Sequence, residues 1–396
     1  MPRGRAEPDH HGPGRARPPR GGARLGARLR RNVSGRSLAA RLRRRALRER
    51  AGGSVRARRG SVGRGLVPVI FLHEIPHHDA RRLLESGAPV YLGFNPVEYH
   101  GPHLPLACDR LIGDGVLGMF SARMARRFPD WPVLVARSVD CGVEPTSGRG
   151  SRRQRYRDVR RIVRESCRAL LELGAQRIVL HSFHGSGLHN LALEDGVQLV
   201  RAEGKQAIAP FHIVLREMMD LDAERYAPAF AHIEDPEERA AMIAGLSMDF
   251  HAGFFETSLA MHFAGDAVSS RHVELPPCPP FGRDGLLSFL SNLTDAIGHP
   301  SAAREMSFAA DAMGWPKLRP FPGYTGRPHR ARAASGAFFA EQIVERYEDA
   351  AVAVFERGED PPAPVMEWLR PLSGWGSLEA TKIDVRHVSH DYPGPG

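Results

Sequence analysis

A segment of twelve residues, Glu98-Tyr-His-Gly-Pro-His-Leu-Pro-Leu-Ala-Cys-Asp109, brings two carboxylates and two imidazoles close together in the chain. Glu98 and His100 are two residues apart, so in extended chain their side chains project from the same face. Asp109 follows nine residues after His100, and two prolines stiffen the loop between them. Carboxylate oxygens and imidazole nitrogens in this mixture suit Zn²⁺, Mn²⁺ or Fe²⁺. We interpret the segment as a metal-binding loop rather than a polar surface loop whose histidines only form hydrogen bonds.

The elements before this loop predict where it lies in the fold. It follows an apolar run at 89–94 that is short, β-branched and aromatic, which indicates a buried strand. His184 likewise follows an apolar run at 177–180. Strands and helices alternate here at a spacing that predicts an α/β fold, a three-layer αβα sandwich around a mainly parallel sheet. Ligands of such sheets lie outside the carboxyl ends of the strands, so Glu98 and His184 are expected at one shared edge.

The other elements are predicted from apolar spacing and from turn residues. A loop at 140–152 is expected on the rim of the pocket, and an acidic helical insertion at 219–246 is expected over the site. The predicted helices are 77–86, 110–127, 156–173, 190–202, 286–297 and 334–355, and the predicted strands are 66–72, 89–94, 133–136, 177–180 and 207–215.

The net charge of +10 is concentrated at one end of the chain. Residues 1–66 hold 20 arginines, no lysine and three acidic residues, so the rest of the chain is net acidic. Residues 1–65 contain almost no large apolar side chains and are expected to be a disordered basic tail. Such a tail could bind nucleic acid; alternatively, its arginine bias is that of translated upstream sequence in a GC-rich genome. A main domain at 66–358 and an extension at 359–396 are predicted to follow.

Composition also bears on the class of protein. No apolar run approaches the ~18 residues of a membrane helix, so no membrane association is expected, and no secretion signal is recognised. The four cysteines, Cys108, Cys141, Cys167 and Cys278, form no Cys-x-x-Cys pair. We expect reduced thiols in a cytoplasmic protein. Cys108 adjoins Asp109 but is not predicted as a ligand, because neighbours in an extended loop point apart.

Four segments carry a resemblance to one family. The metal-loop segment resembles the signature E-x-H-G-x-H-L-P-x-x-x-D of the creatininase (creatinine amidohydrolase) family. Ser182-Phe-His-Gly-Ser-Gly-Leu-His-Asn190 is similar to its N-G-H-G-G-N element, and His251-Ala-Gly-Phe-Phe-Glu-Thr-Ser258 to its H-A-G-x-x-E-T-S motif. Gly326-Arg-Pro-His-Arg-Ala-Arg-Ala-Ala-Ser-Gly336 resembles its C-terminal Gly-x-Pro…Ala-x-x-x-Gly segment. The resemblance extends from residue 67 to residue 357.

The resemblance implies a centre that holds one or two divalent ions, Zn, Mn or Fe. It implies that Asp109 bridges two ions. Glu98 and His184 would complete the coordination of one ion, and His100 would bind the other.

The resemblance leaves alternatives for the ligands of the second ion, because one position departs from the family pattern. The creatinine hydrolases of the family have a Glu two residues after the position of His184, where this chain has Ser186, a poor ligand. The second ion is then weakly bound, absent, or completed by Glu256 or His189. We favour Glu256, because many members without the extra Glu retain the H-A-G-x-x-E motif.

The same motif supplies the predicted catalytic residues, His251 and Glu256. After water attacks an amide carbon, the leaving nitrogen must be protonated, and a histidine suits that step. His103 is expected to hold the loop or a carboxylate ligand. For His189, packing at a helix start and metal ligation remain equal alternatives.

The resemblance implies a metal-dependent amidohydrolase that cleaves a non-peptide C–N bond, in a cyclic amide or formamide, through a metal-activated water. Creatinine itself is not favoured, because residues 247–250 lack the tryptophan that resembles a lid in creatinine hydrolases. The alternatives are a maturation peptidase of the same family, or a nucleic-acid-associated protein that uses the Arg-rich tail beside a degenerate catalytic domain. The resemblance also suggests a homo-oligomer, a hexamer, acting on a small-molecule substrate.

Overall fold

The computed structural model describes residues 69–378 and 382–392, so the predicted basic tail at 1–65 lies outside the described residues. Their strands and helices alternate along the first half of the chain, and helices dominate the second half. The strands are β1 (Val69–Phe71), β2 (Val90–Asn95), β3 (Val133–Val135), β4 (Val139–Asp140), β5 (Arg177–His181) and β6 (Gln206–Ile208). The helices are α1 (His77–Glu85), α2 (Cys108–Arg127), α3 (Tyr156–Leu173), α4 (Gly187–Ala202), α5 (Phe211–Met219), α6 (Ala223–Tyr226), α7 (Pro236–Ala244), α8 (Phe254–Ala264), α9 (Gly285–Ala296), α10 (Pro300–Gly314), α11 (Ala333–Phe355) and α12 (Leu369–Leu372).

The strands form one parallel sheet in the order β1-β3-β2-β5-β6, and β4 also pairs with β2. Val90 on β2 lies opposite Leu134 on one side and Ile178 on the other, which makes β2 a central strand. Parallel pairing brings the carboxyl ends of β2 and β5 to the same edge of the sheet. The segments with Glu98 and His184 both begin there, as predicted.

Side chains that alternate along β2 pack into two separate cores. Val90, Leu92 and Phe94 pack on one face with residues of α1, α3 and α4, whereas Tyr91 packs on the other face with residues of α2, α8 and α11. Burial on both faces accounts for the almost continuously apolar sequence of the strand. The predicted three-layer αβα sandwich around a parallel sheet is confirmed.

Two predictions of local structure are wrong. The segment 207–215 was expected as one strand, but it contains β6 followed by helix α5. Pro210 precedes the helix, and Phe211, Val214 and Leu215 share one buried helical face. The apolar run therefore combines the two-residue repeat of a strand with the 3.6-residue repeat of a helix. Between the predicted helices at 286–297 and 334–355 no other helix was expected, but α10 follows α9 directly and packs against it. Among the described residues no helix is long and apolar enough to cross a membrane.

A C-terminal segment, residues 382–392, packs back onto the domain, and we refer to it as the C-terminal strap. The backbone N–H of Ile383 donates to the hydroxyl of Ser147 at 3.1 Å. Farther along the strap, Phe321 donates to the carbonyl of His387 at 2.7 Å and accepts from the N–H of Ser389 at 2.9 Å. These backbone hydrogen bonds fix the strap against two loops of the domain.

The close crossing of α8 and α11 yields a test of the fold. A Cβ added to Gly336 would lie 1.9 Å from the carbonyl oxygen of Ser258, which is backbone and cannot give way. We expect Gly336→Ala to lower the free energy of unfolding by at least about 2 kcal/mol. Gly118→Ala is the matched control, since no atom lies within 4 Å of its added Cβ on helix α2, and it should stabilise by ~0.5 kcal/mol. Urea unfolding of both variants measures the difference, and equal stabilities would contradict the tight helix crossing.

Candidate metal centre

One backbone hydrogen bond brings the two ends of the loop after β2 together, and a second one ties this loop to the segment at residue 152. The N–H of Glu98 donates to the carbonyl of Leu106 at 2.9 Å, and the N–H of Arg152 donates to the carbonyl of Val97 at 2.8 Å. Helix α2 begins directly afterwards, with Asp109 in its first turn. The two carboxylates are nevertheless neighbours in space, because the loop doubles back before the helix.

Five of the predicted ligand side chains meet in one buried cluster. Nε2 of His100 lies 2.9 Å from Oδ1 of Asp109, and Nδ1 of His184 lies 2.9 Å from Oε1 of Glu98. Oε2 of Glu256 lies 3.7 Å from Nε2 of His100. All five side chains are buried. Residues that are 158 positions apart in sequence thus share one small volume.

Backbone carbonyls hold the two imidazoles of this cluster in a defined orientation. Nδ1 of His100 donates to the carbonyl of Glu98 at 3.2 Å, and Nε2 of His184 donates to the carbonyl of Val143 at 2.8 Å. In each ring the opposite nitrogen lies beside the carboxylates. Fixing one nitrogen of a histidine in this way is how proteins prepare the other one to bind a metal.

Glu256 is positioned by the start of helix α8, which is held by a buried aspartate. Asp249 accepts hydrogen bonds from the N–H groups of Phe254 and Phe255, each at 2.9 Å. Ala252 has a positive φ of 49°, and its N–H donates to Oε2 of Glu256 at 2.6 Å. Negative charge is favoured at a helix N-terminus, which suits both carboxylates. The H-A-G-x-x-E motif therefore aims the Glu256 side chain at the cluster.

His251 lies at the edge of the same cluster. Its ring stacks on that of His100 with 4.3 Å between centroids, and its Nε2 donates to the carbonyl of Tyr99 at 2.9 Å. Its backbone is paired with Thr325, whose N–H donates to the His251 carbonyl at 2.8 Å. The residue directly before the fourth motif thus supports the third one.

The donor set fits a site for one or two divalent ions. Ligand atoms lie within 4.8 Å of one another in the groups Glu98–Asp109–His184 and His100–Asp109–Glu256, and a third group joins Glu98, His100 and His251. Glu98, His100 and Asp109 each belong to two of these groups, and Asp109 is the carboxylate that the first two groups share, as a bridging ligand would be. Oδ2 of Asp109 is buried and has no hydrogen-bond donor. A buried charged oxygen without a partner is costly, and a cation is the partner that such an oxygen needs.

Burial and crowding raise the pKa values of two carboxylates, whereas the charge of His184 lowers that of the third. Burial and the nearby Glu98 charge raise the pKa of Asp109 well above its usual value. Burial raises the pKa of Glu256 to about 8. Burial would also raise the pKa of Glu98, but the positive charge of His184 outweighs it and lowers this pKa well below its usual value. Burial lowers the pKa of His184, but the nearby carboxylates raise it by more, so that this pKa is about 9.

Three residues singled out from the sequence do not join the cluster. Both ring nitrogens of His189 are engaged, Nε2 with the carbonyl of Phe94 and Nδ1 with the N–H of Val143. Ser186 caps helix α4. His103 makes a hydrogen bond of 2.9 Å to the hydroxyl of Thr257, so it holds the loop against α8 and contacts no carboxylate ligand.

A cavity of about 200 Å³ lies beside the cluster, and His184, His251 and Glu256 line it. Residues of the predicted rim loop at 140–152 also line it, whereas none of residues 219–246 does, so the expectation that this insertion covers the site is wrong. Its 3₁₀ turn at Ala227–Phe230 packs against α11 instead.

Several residues that build this site were not singled out from the sequence. Asp249 is an acidic residue that precedes a helix, which is a sequence signal of a helix N-terminus. It lies five positions before the first helical residue, however, which is too far for a standard cap. Asn95 accepts a hydrogen bond from the N–H of Phe183 at 2.9 Å and so ties the ends of β2 and β5 together. The aromatic residues that line the cavity, such as Trp315 and Phe321, gave no signal because only tertiary packing brings them there.

Removing the charge of Asp109 tests the metal centre. Without metal, Asp109→Asn should raise the unfolding temperature by about 3 °C or more, because it removes a buried carboxylate beside Glu98. With Zn²⁺ or Mn²⁺, wild type should gain stability and the variant should not. Scanning calorimetry and metal analysis per subunit measure both effects. Asp130→Asn is the matched control at an exposed position, and equal metal content in wild type and Asp109→Asn would contradict the assignment.

Comparison with known proteins identifies a family and several similar solved structures. The family described as creatininase, creatinine amidohydrolase, matches residues 73–351, whereas no curated protein matches the chain. Among solved structures, the chain is similar to a creatinine amidohydrolase (creatininase) with 20% identity and a TM-score of 0.48, over 74% of this chain and 99% of that one. It is also similar to a structure described as creatininase Mn, with 19% identity and a TM-score of 0.46 over 72% and 99% of the two chains. A mutant creatininase of Zn–Zn type has 17% identity and a TM-score of 0.46, over 72% and 98%. Because the family match covers more than half of the 396 residues, this chain belongs to the creatininase family.

Proposed function

We propose that the protein is a metal-dependent amidohydrolase that cleaves a non-peptide C–N bond of a small molecule. The observation that carries this proposal is the pair of ligand groups that share Asp109 and adjoin a cavity. Hydrolysis adds water across the C–N bond, so the carbonyl carbon gains oxygen and the nitrogen leaves with a proton. The site must therefore supply an activated water, a polarised carbonyl and a proton donor.

The ligand groups suggest how metal ions would be held. Glu98, Asp109 and His184 would hold one ion, and His100, Asp109 and Glu256 would hold a second. Mixed carboxylate and imidazole ligands favour Zn²⁺, Mn²⁺ or Fe²⁺. A divalent ion bound there would lower the pKa of a water molecule and polarise an amide carbonyl.

The chain's own residues supply the proton transfers. His251 lines the cavity, and its Nε2 is held by the carbonyl of Tyr99, so Nδ1 is the nitrogen that remains for a substrate. Since Nε2 carries the proton donated to Tyr99, Nδ1 of the neutral ring keeps its lone pair. A neutral imidazole can take a proton from water and return it to the leaving nitrogen. Glu256 also lines the cavity and is the second residue proposed to take part in this exchange.

A small-molecule substrate agrees with the size of the cavity. Its volume of about 200 Å³ is too small for a folded partner, and pockets that take small molecules are concave and largely apolar with a few convergent polar groups. The cluster supplies those polar groups.

The proposal is tested by metal-dependent turnover. Protein loaded with Zn²⁺ or Mn²⁺ should hydrolyse members of a panel of cyclic amides, formamides and primary amides. Chelation should abolish the activity, and adding the metal back should restore it. The released amine or ammonia is measured directly. Turnover that survives complete removal of the metal would contradict the mechanism, as would no turnover of any amide by fully loaded protein.

The role of His251 has its own test. His251→Asn should lower kcat by a factor of ~10²–10⁴, typical of lost proton transfer, with metal content unchanged. The loss should shrink for a 4-nitroanilide substrate, whose leaving group needs less protonation. His78→Asn, at an exposed position on α1, is the control. An equal loss for anilides with good and poor leaving groups would indicate that His251 only supports the cluster.

A further inference from the structure

The cavity beside the metal-ligand cluster has walls of two kinds. His184, His251 and Glu256 form the wall next to the cluster, and the charged residues Glu144 and Arg153 also line the cavity. Most of the remaining lining is aromatic or aliphatic. Hydrolysis of an amide needs only the first wall, so the second one is available for recognition of the rest of the substrate.

The apolar wall is a continuous row of rings. Phe308 lies 6.1 Å from Phe250, Phe250 lies 5.6 Å from Trp315, and Trp315 lies 4.6 Å from Phe321, measured between ring centroids. Trp315 also lies 5.2 Å from the ring of His251. The apolar wall therefore begins directly beside the residue proposed to transfer protons.

Trp315 presents the carbon atoms of its ring to the cavity and no hydrogen-bond donor. Its indole N–H donates to the carbonyl of Tyr324 at 3.1 Å, which satisfies the one polar atom of the ring. The ring is 5% exposed and packs in a small core with Phe321 and Ile383. A ring fixed in this way gives the wall a rigid shape, because its neighbours leave it no other orientation.

The last part of the wall comes from the C-terminal strap. Ile383 lines the cavity and is 4% exposed, and its N–H is anchored on Ser147, another lining residue. The family match ends at residue 351, so the strap lies outside it. This chain therefore completes its cavity with a residue from beyond the part that carries the family signature.

The size of the cavity limits what can occupy it. An apolar cavity of about 150 Å³ is large enough to bind benzene, and this one has about 200 Å³. A small and wholly polar amide would leave the aromatic wall without a partner and would place its own polar groups against carbon, which costs free energy. A ring or a branched aliphatic group of similar size would fill the space.

We propose that the substrate of this site carries an apolar substituent of about the size of a phenyl ring next to its scissile amide, and that Ile383 of the C-terminal strap helps to select it. The inference rests on the amide hydrolysis proposed above, because that proposal sets which end of the substrate meets the cluster. The aromatic row and Ile383 then contact the substituent.

Binding of two carboxylates to the Zn²⁺-loaded protein tests the apolar wall without turnover. Acetate and phenylacetate carry the same charged group and differ by one phenyl ring. Isothermal titration should show phenylacetate binding at least about 30-fold more tightly, from burial of the ring. Equal affinities would overturn the proposal.

Variants at the strap test the part played by Ile383. Ile383→Asp places a charge in the wall and should reduce the affinity for phenylacetate at least about tenfold while leaving that for acetate unchanged. Leu372→Asp, at a residue that is 49% exposed, is the matched control and should change neither affinity. If Ile383→Asp does not fold, Ile383→Ala should still weaken phenylacetate binding about threefold or more. Unchanged affinity for phenylacetate, or an equal loss for both ligands, would overturn the role of Ile383.

Hydrolysis of acetamide and 2-phenylacetamide separates this inference from the proposed function. A preference for phenylacetate in binding, together with no hydrolysis of any amide, would refute the hydrolase and leave the apolar site in place. Hydrolysis of both amides at the same kcat/KM would support the hydrolase and refute the apolar substituent.

Discussion

Three carboxylates, those of Glu98, Asp109 and Glu256, are buried together where water solvates them poorly. The rest of the structure depends on offsetting the free-energy cost of this arrangement. Like charges in a poorly solvated site repel and favour protonation. Backbone donors offset part of the cost, since the N–H of Thr146 donates to Glu98 and that of Ala252 donates to Glu256. Divalent cations would relieve the rest of this free-energy cost. The cluster is therefore unfavourable by itself and well suited to binding metal.

The fold holds these groups by joining two unlike supports. Glu98 and His184 follow β2 and β5, which pair directly through four residue pairs, so their spacing is set by the sheet. Glu256 comes instead from α8, whose start is fixed by Asp249 and whose position depends on the packing of α11. Ligands on rigid elements keep their geometry before any metal arrives, and the cost of ordering them is met during folding.

The sequence predicted a feature well where the residues that specify it are close together in the chain. The helix at 156–173 was predicted with its observed bounds, because its apolar stripe and Gly174 at its end are both local. The segment at Phe211–Met219 was mistaken for strand, because a short apolar run is compatible with both structures until Pro210 is weighed as a break. Glu98 and His184 could be placed together because strand ends in a parallel sheet share an edge, whereas Glu256 was assigned only through the resemblance of its motif. The aromatic row could not, because Trp315 and Ile383 meet only through packing of irregular segments.

The two walls of the cavity are under different physical constraints. Membership of the family therefore says more about the ligand cluster than about the apolar wall. The cluster must keep charged ligands within a few ångströms, so few residue types can replace Glu98 or Asp109 there. The apolar wall needs only volume and carbon surface, which many residue types supply. Substrate preference can therefore change through α10, the loop at 315–321 and the strap without disturbing the ligands. A dry wall also serves the chemistry, because electrostatic interactions are stronger where water is excluded. The same rings that would select an apolar substituent would thus strengthen the interactions of the ligand cluster with the amide bond beside them.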